Sequence, residues 1–429
     1  MNIKILAIGG RGDVQPLVVL GEELSLRGYH VSVATHVEFE DVVRSGRLEY
    51  LNISTSIKEL FLGRYGKGTY STESNYFRSW FNFYKMFGEV LYQSASDSYD
   101  ACKDGDLIIY SPPCLYFAPQ LEEKLKIPSV PVFFQPFHPT GEFPHYISPL
   151  QVNFSSTLNL LIHYLADYMM WIPYLPVINR FRKERLGLPS ISVFNRYIQN
   201  WRKDQKLFIY AFSEYVLKKP SDWPENAHVT GYFFRQRDES GLDDKELEEF
   251  INSGEKPVFV GFSSTVVHEA EKIANILKNA FSRLNSRVVL VTGWGGMQDI
   301  DFPENIFKIP YVPYDRLFPH MSLLIHHGGA GSTASALRSG VPSLVIPFAA
   351  DQYFWAKRVE RTGAGPAPLP ARELTSDRLY RSVKEVLESE KYYSRAEEIA
   401  RNIKRENGIG NAADLIEELI SGYGLSDDK

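Results

Sequence analysis

The chain has almost no cysteine, with Cys102 and Cys114 the two among 429 residues. That excludes a disulfide-stapled scaffold and points to a reducing compartment. It has no excess of either charge: 47 Lys and Arg stand against 52 Asp and Glu, a net charge of −5. Nothing in that balance suits a nucleic-acid partner. It also lacks an unbroken apolar run of membrane-spanning length. The most apolar long stretch, residues 158–178, is interrupted by Asn159, His163, Asp167, Pro173 and Pro176, so no span is expected. The amino terminus opens on a strand-like run, residues 3–8, without the charged-then-apolar layout of a signal peptide. The expected location is therefore cytoplasmic.

What is present is enough hydrophobic content, 44%, for large cores, at a length that suggests two domains of about 200 residues each. Aromatic residues make up 14%, with 27 Phe and 25 Tyr, and they crowd the first half.

The most informative stretch is residues 322–355, SLLIHHGGAGSTASALRSGVPSLVIPFAADQYFW. Leu323, Leu324 and Ile325 read as a buried parallel strand. His326 and His327 follow, then Gly328, Gly329, Ala330 and Gly331, then Ser332 and Thr333 at the start of a helix ending near Gly340. A second apolar strand covers 343–346, and Asp351 and Gln352 stand beyond it. A turn stripped of side chains lets a ligand approach the backbone. A helix start carries unpaired N–H groups and about half a positive charge, which suits a phosphate. Glycines alone would equally fit a tight strand–helix connection. The histidine before them, the hydroxyls after them and the Asp351–Gln352 pair tilt the balance towards a nucleotide-diphosphate site.

The first fifty residues repeat the theme. A strand over 3–8 meets Gly9, Gly10, Arg11, Gly12 and Asp13, followed by a helix over 16–27 and a strand over 30–35. The third glycine of a dinucleotide fingerprint is missing. The second strand ends Ala34, Thr35, His36 with no acidic residue for a ribose, so a nicotinamide site is not expected. Asp13 stands where ligands meet an open α/β sheet. It reads either as the N-cap of the helix over 16–27 or as a general base. Asp104-Gly105-Asp106 has the D-x-D pattern of a metal site but directly precedes a strand over 107–110, as an ordinary turn does. Further strands are read at 129–134, 208–213, 228–231, 258–262 and 288–292. Residues 54–99 read as loops and helices over a crevice. Residues 137–188 are rich in aromatics and end in Arg180, Arg182, Lys183 and Arg185. They read either as helices with a solvated basic end or as a greasy acceptor cleft with a membrane-facing rim. The linker falls within 238–244. Later helices are read at 245–253, 269–284, 376–387, 392–404 and from about 411.

The donor-type stretch, and the run GGRGDVQPLVVLGEELSLRGYHVSVATH starting at Gly9, resemble family-1 UDP-dependent glycosyltransferases. Within that family they are most similar to sterol glucosyltransferases and bacterial antibiotic glycosyltransferases. The resemblance is densest at 1–50 and 255–387 and fades across 54–205. It implies an α/β fold of GT-B architecture: two facing Rossmann-like domains with parallel sheets. An acceptor-binding domain over 1–238 and a nucleotide-sugar-binding domain over 245–405 are expected, with a terminal helix over 411–429 packing back on the first. By the resemblance, Asp13 is the catalytic base and His327 contacts the diphosphate. Gly329, Gly331, Ser332 and Thr333 form the phosphate-facing helix start, and Asp351 and Gln352 hold sugar hydroxyls. Ser264 corresponds to the serine of the family's Gly-Phe-Gly-Ser run, in which Ser263 here replaces a glycine. Trp294 and the Val312 backbone flank the uracil. His36 and His138 are other possible bases or acceptor-positioning groups. The implied activity is inverting transfer of a hexose, glucose in the first instance, from UDP to a hydroxyl of a hydrophobic acceptor such as a sterol, another lipid or a natural-product aglycone. A sugar-nucleotide epimerase and a non-catalytic sugar-nucleotide binder are the rivals. No metal or cofactor is expected. The partners are a UDP-sugar and a lipid-like acceptor, with peripheral contact at the cytoplasmic membrane face left open.

Overall fold

The computed structural model describes residues 1–62, 76–149, 151–195, 197–235, 242, 244–262, 269–293 and 296–423. Seven strands form one parallel sheet: β1 (Asn2–Leu6), β2 (His30–His36), β3 (Glu49–Ile53), β4 (Leu107–Tyr110), β5 (Ser129–Phe133), β6 (Phe208–Tyr210) and β7 (Ala227–Val229). Their order is β3-β2-β1-β4-β5-β6-β7. Five more form a second parallel sheet: β8 (Val258–Gly261), β9 (Val288–Val291), β10 (Ile306–Ile309), β11 (Leu323–His326) and β12 (Ser343–Val345), ordered β10-β9-β8-β11-β12. In both, chain order reverses beside the first strand, between β1 and β4 and between β8 and β11. Open parallel sheets meet their ligands at such switch points, outside the carboxyl ends of the strands.

The central strands form because they are apolar on both faces, as helix-covered parallel strands must be. Every residue of β4 (LIIY), β9 (VVLV) and β11 (LLIH) is buried. The edge strands β3 and β10, absent from the sequence-based expectation, are only half buried and carry Glu49, Asn52 and Lys308. One face of each is wet, so the apolar run that betrays a central strand is missing.

Lys4 lies inside β1. Its Nζ reaches Ser32 Oγ at 3.4 Å and the Asp104 carboxylate at 3.2 Å. Asp106 Oδ2 accepts the Asn2 N–H at 2.7 Å. Both acids of the D-x-D pattern are thus engaged at the amino end of the sheet, opposite the edge where ligands bind. Turn chemistry accounts for them.

Helix α1 spans Arg11–Leu26, five residues longer at its start than the expected 16–27. Pro16 is interior, and the N-cap is Gly10. Asp13 is therefore a first-turn residue and not the N-cap. Its Oδ2 accepts the Gly10 N–H at 2.9 Å, which anchors the turn. Helix α2 (Tyr76–Cys102) covers part of the region read as crevice lining. Helix α3 (Ser156–Trp171) is capped by Ser155, whose Oγ accepts the Leu158 N–H. Among the described residues, no helix is long and apolar enough to cross a membrane.

The two halves meet through helix α5 (Gln352–Thr362), which follows helix α4 (Ala330–Ser339) and β12. Phe354 lies 5.7 Å from Phe143, and Trp355 lies 5.8 Å from Phe212, centroid to centroid. Burying such side chains contributes about 1.5–3 kcal/mol each. Helix α6 (Gly408–Gly422) returns to the first sheet. Ala412, Ala413, Ile416 and Ile420 join the core beneath α1, Arg27 bonds Asp414 and Glu417, each at 2.6 Å, and Asn411 Nδ2 donates to the Thr230 carbonyl at 3.0 Å.

Inside the first half, Asp167 and Arg202 form a two-pronged ion pair at 2.8 and 3.1 Å, with both side chains buried. The guanidinium also lies 4.5 Å over the Phe137 ring. Removing one member of such a pair strands the other in a low-dielectric interior. Asp167→Ala is expected to cost about 3–5 kcal/mol in denaturant unfolding, whereas the double change Asp167→Leu with Arg202→Met should recover most of it. Equal stability of wild type and Asp167→Ala would show that the pair is not desolvated.

Candidate active site

The first half brings Asp13 to the carboxyl edge between β1 and β4. The preceding turn is built around its carboxylate. Gly9 sits at φ +125°, and a Cβ there would lie 2.8 Å from Asp13 Cγ, so glycine is needed for both backbone and room. Ser111, just after β4, locks the same turn: its Oγ accepts the Ile8 N–H at 3.1 Å and donates to the Ile8 carbonyl at 2.9 Å. Burial pushes the Asp13 carboxyl up to about 7, with the nearby negative charge of Asp351 adding to the rise; the Gly10 hydrogen bond opposes it.

The second half contributes the turn after β11. His326 is fully buried, and its Nδ1 accepts the Gly328 N–H at 3.1 Å. Gly328 has φ +88°, and a Cβ on it would lie 2.7 Å from Val345 Cγ1. Gly329 is the N-cap of α4, and a Cβ there would lie 2.5 Å from His327 Nε2. Its bareness makes room for the imidazole. Burial holds His327 down to about 4, so the ring is neutral near pH 7 and donates from a single nitrogen. Among the described residues, its Nδ1 and the Thr333 hydroxyl are buried without a hydrogen-bond partner, an unusual condition for polar atoms inside a protein. Thr333 makes the first intrahelical bond, to the Gly329 carbonyl at 2.9 Å. The N–H groups of Ala330, Gly331 and Ser332 are left pointing out of the helix end. Together these form a cradle for an anion.

The two glycine turns face each other: the atom nearest to a Cβ placed on Gly331 is Gly12 Cα, 3.8 Å away. Beside them, the Arg11 guanidinium lies 4.5 Å over the Tyr311 ring. Asp351 occupies the N-cap position of α5, a helix not anticipated from sequence. Its carboxyl is raised by burial, with a hydrogen bond from Gln135 pulling the other way. Gln352 turns its Oε1 back onto the Phe348 and Ala349 N–H groups, at 2.8 and 3.1 Å.

Other expected residues are placed as follows. Val312 has its side chain in the core with Ile309 and Leu317. Ser264 and Trp294 lie outside the described residues. His36 is enclosed, with Nδ1 donating to the Thr55 carbonyl at 2.5 Å, and burial lowers its pKa. His138 is buried too. Its ring packs against Phe208, Tyr210 and Trp223, its Nδ1 lies 2.5 Å from the Tyr210 hydroxyl, and burial drives it down to about 2. Proximity to the carboxyl end of β5 in sequence does not tell which way a side chain turns.

Sequence reasoning missed Ser111 and Gln135. Each follows a buried parallel strand at its carboxyl end, the one position rule that could have found them. Gln135 Nε2 donates across the cleft to Asp351 Oδ2 at 2.9 Å.

Two doubly wound parallel sheets that meet at their carboxyl edges are the GT-B architecture, the fold of many glycosyltransferases. Solved structures agree in fold: the kitacinnamycin glycotransferase is 18% identical with a TM-score of 0.72, covering 97% of this chain and 98% of that one. VinC, solved in complex with DTDP, is 18% identical with a TM-score of 0.63, covering 97% and 99%. Residues 3–144 match the glycosyltransferase family 28 N-terminal domain, and 276–418 match the erythromycin biosynthesis protein CIII-like C-terminal domain. The sterol 3-beta-glucosyltransferase UGT80B1 of Arabidopsis thaliana is 32% identical over 96% of this chain and 67% of its own length. That of Debaryomyces hansenii is 30% identical over 97% of this chain, which spans 26% of it. The chain belongs to the glycosyltransferase family that contains the sterol 3-beta-glucosyltransferases.

The raised Asp13 carboxyl has two measurable consequences. A base role for this carboxyl requires its ionised form, so under that role kcat/KM should climb with pH through an apparent pKa of about 7. In the fold it holds its proton to higher pH than in the unfolded chain. Its contribution to stability is thus fully present below the unfolded value of 3.8 and lost as pH rises to about 7. Asp13→Asn should remove that fall in stability between pH 4 and 7. An unchanged pH slope in thermal melts would mean the carboxyl is not desolvated.

Proposed function

We propose that the protein is an inverting transferase that moves glucose from UDP-glucose to a hydroxyl of a hydrophobic acceptor, a sterol in the first instance. The observation that carries this reading is a near-neutral carboxyl, Asp13, facing an anion cradle across the cleft between two sheets. The names of the relatives supply the sterol and the glucose, and the fatty, aromatic first half is consistent with such an acceptor. Asp13 takes the acceptor hydroxyl's proton as that oxygen bonds to the anomeric carbon and the bond to the diphosphate breaks. UDP leaves onto His327, the Thr333 hydroxyl and the open end of α4, whose dipoles offset the developing charge without a metal ion. One displacement turns an α-linked donor into a β-linked product. Asp351 and Gln352 hold sugar hydroxyls, and the Val312 backbone, with Ser264 and Trp294, completes the nucleotide site.

A cytoplasmic location fits two free, buried thiols, Cys102 and Cys114. The acceptor's solubility argues for delivery from a lipid surface, and α3 offers the face for it. Leu158, Leu161 and Leu165 stand exposed on that helix, at 40%, 62% and 57%, between the exposed Phe154 and Ile172. Residues 143–166 contain no Asp, Glu, Lys or Arg. A charge-free apolar face of this kind suits peripheral insertion.

The first test follows UDP release and product mass with UDP-glucose and a sterol panel. Asp13→Asn should lower turnover at least about a hundredfold while keeping UDP affinity. His327→Ala should weaken UDP binding, and EDTA should leave activity intact. A hexosyl product formed at full rate by Asp13→Asn would sink the mechanism. Co-sedimentation with phosphatidylcholine vesicles tests the lipid face. Leu161→Asp with Leu165→Asp should cut binding more than about tenfold, since each buried leucine contributes about 1.5–3 kcal/mol, and turnover of a detergent-solubilised sterol should persist. Equal vesicle binding by wild type and variant would exclude that face.

A further inference from the structure

Gln135 follows β5 on the carboxyl edge of the first sheet, and Asp351 opens α5 in the second half, 216 positions later. The hydrogen bond between them, Gln135 Nε2 to Asp351 Oδ2 at 2.9 Å, crosses the cleft. The neighbouring Gln352 is fixed differently, by its own loop at Phe348 and Ala349. Of the adjacent pair at the start of α5, Gln352 is oriented from within its own half, and Asp351 is held from the opposite half as well as by its own backbone and Trp355.

The chemistry of the bridging group is selective. Asp351 lies close enough to Asp13 for their charges to repel. A third carboxylate here would worsen that repulsion, and a lysine would bind Asp351 as an ion pair and compete with sugar hydroxyls. A carboxamide donates one hydrogen bond and adds no charge. It engages one oxygen of Asp351, beside hydrogen bonds from the Asp351 backbone and Trp355, and the lone pairs of a carboxylate still leave room to accept from a ligand.

We infer that Gln135 is a positioning residue for the donor sugar: from the acceptor half it orients the Asp351 carboxylate onto the hexose hydroxyls. This rests on the reading of Asp351 as a sugar-holding group. The hexose is then gripped fully only when the halves are together, because one oxygen of its acceptor carboxylate is set from across the cleft. The nucleoside and diphosphate contacts of the second half do not depend on this bond.

That separation makes the inference testable by calorimetry with UDP and with UDP-glucose, alongside steady-state kinetics. In wild type, the hexose should add affinity over UDP alone. Gln135→Leu should leave UDP affinity within about twofold and remove roughly tenfold of the UDP-glucose advantage, the scale of one hydrogen bond to a charged group. Donor KM should rise more than kcat falls, and preference for UDP-glucose over its 4-epimer UDP-galactose should narrow. Gln135→Glu, equal in shape but charged and without the N–H, should be worse than Gln135→Leu. A purely structural role would weaken UDP and UDP-glucose together, and that result overturns the inference. Asp351→Asn separates the two levels. If it removes the UDP-glucose advantage while Gln135→Leu keeps it, Gln135 is not the positioning group. If Asp351→Asn keeps the advantage, the sugar-holding reading of Asp351 fails and the inference with it.

Discussion

The structure depends on keeping negative charge in a place that disfavours it. Asp13 and Asp351 stand at the carboxyl edges of two different sheets, near enough for each to feel the other, with protein displacing most of the water around them. Such a pair persists only if donors are supplied at fixed positions. Gly10 supplies one to Asp13, and Gln135 supplies one to Asp351. The positive ends of α1 and α4 face the same cleft. The charge is therefore balanced by N–H groups and dipoles, with the glycines removing the side chains that would keep those dipoles at a distance.

The same economy explains the histidines. His326 and His327 are both driven to the neutral form by burial. Neither offers a cation to a phosphate. What the second half presents at the turn after β11 is a set of neutral donors held in place by the fold, an arrangement that needs no reorganisation when charge arrives. The stiffness behind this comes from the packing of Phe354 and Trp355 against Phe143 and Phe212 and from the return of α6 to the first sheet.

Much of the fold was legible because parallel strands buried on both faces leave an unmistakable apolar run. The central strands β1, β4, β8, β9 and β11 were all readable for that reason. The half-wet edge strands β3 and β10 were not, since their polar residues break the run. The start of α1 lies five residues before the expected 16–27, because the helix tolerates Pro16 in its interior. The D-x-D pattern at Asp104 is compatible in sequence with either a metal site or a turn, and the contacts of Lys4 with Asp104 and of Asn2 with Asp106 are long-range features that local sequence does not carry. For the site, the glycine turns, His327, Thr333 and Asp351 are visible as local patterns, while the packing of His138 on Tyr210 and the reach of Gln135 to Asp351 are not.

The sequence by itself determined the local chemistry: bare turns at strand ends, hydroxyls and histidines beside them, and carboxylates placed just beyond. These are short-range features, written within a few residues and set by backbone sterics and helix-end polarity. Only the tertiary structure decided which of those groups meet. Asp13 acquires a near-neutral pKa because a distant segment buries it and brings Asp351 alongside. Gln135 acquires a role because β5 and α5 end at the same cleft. Desolvation and charge–charge interaction depend on separation in space, and no periodicity along the chain records it.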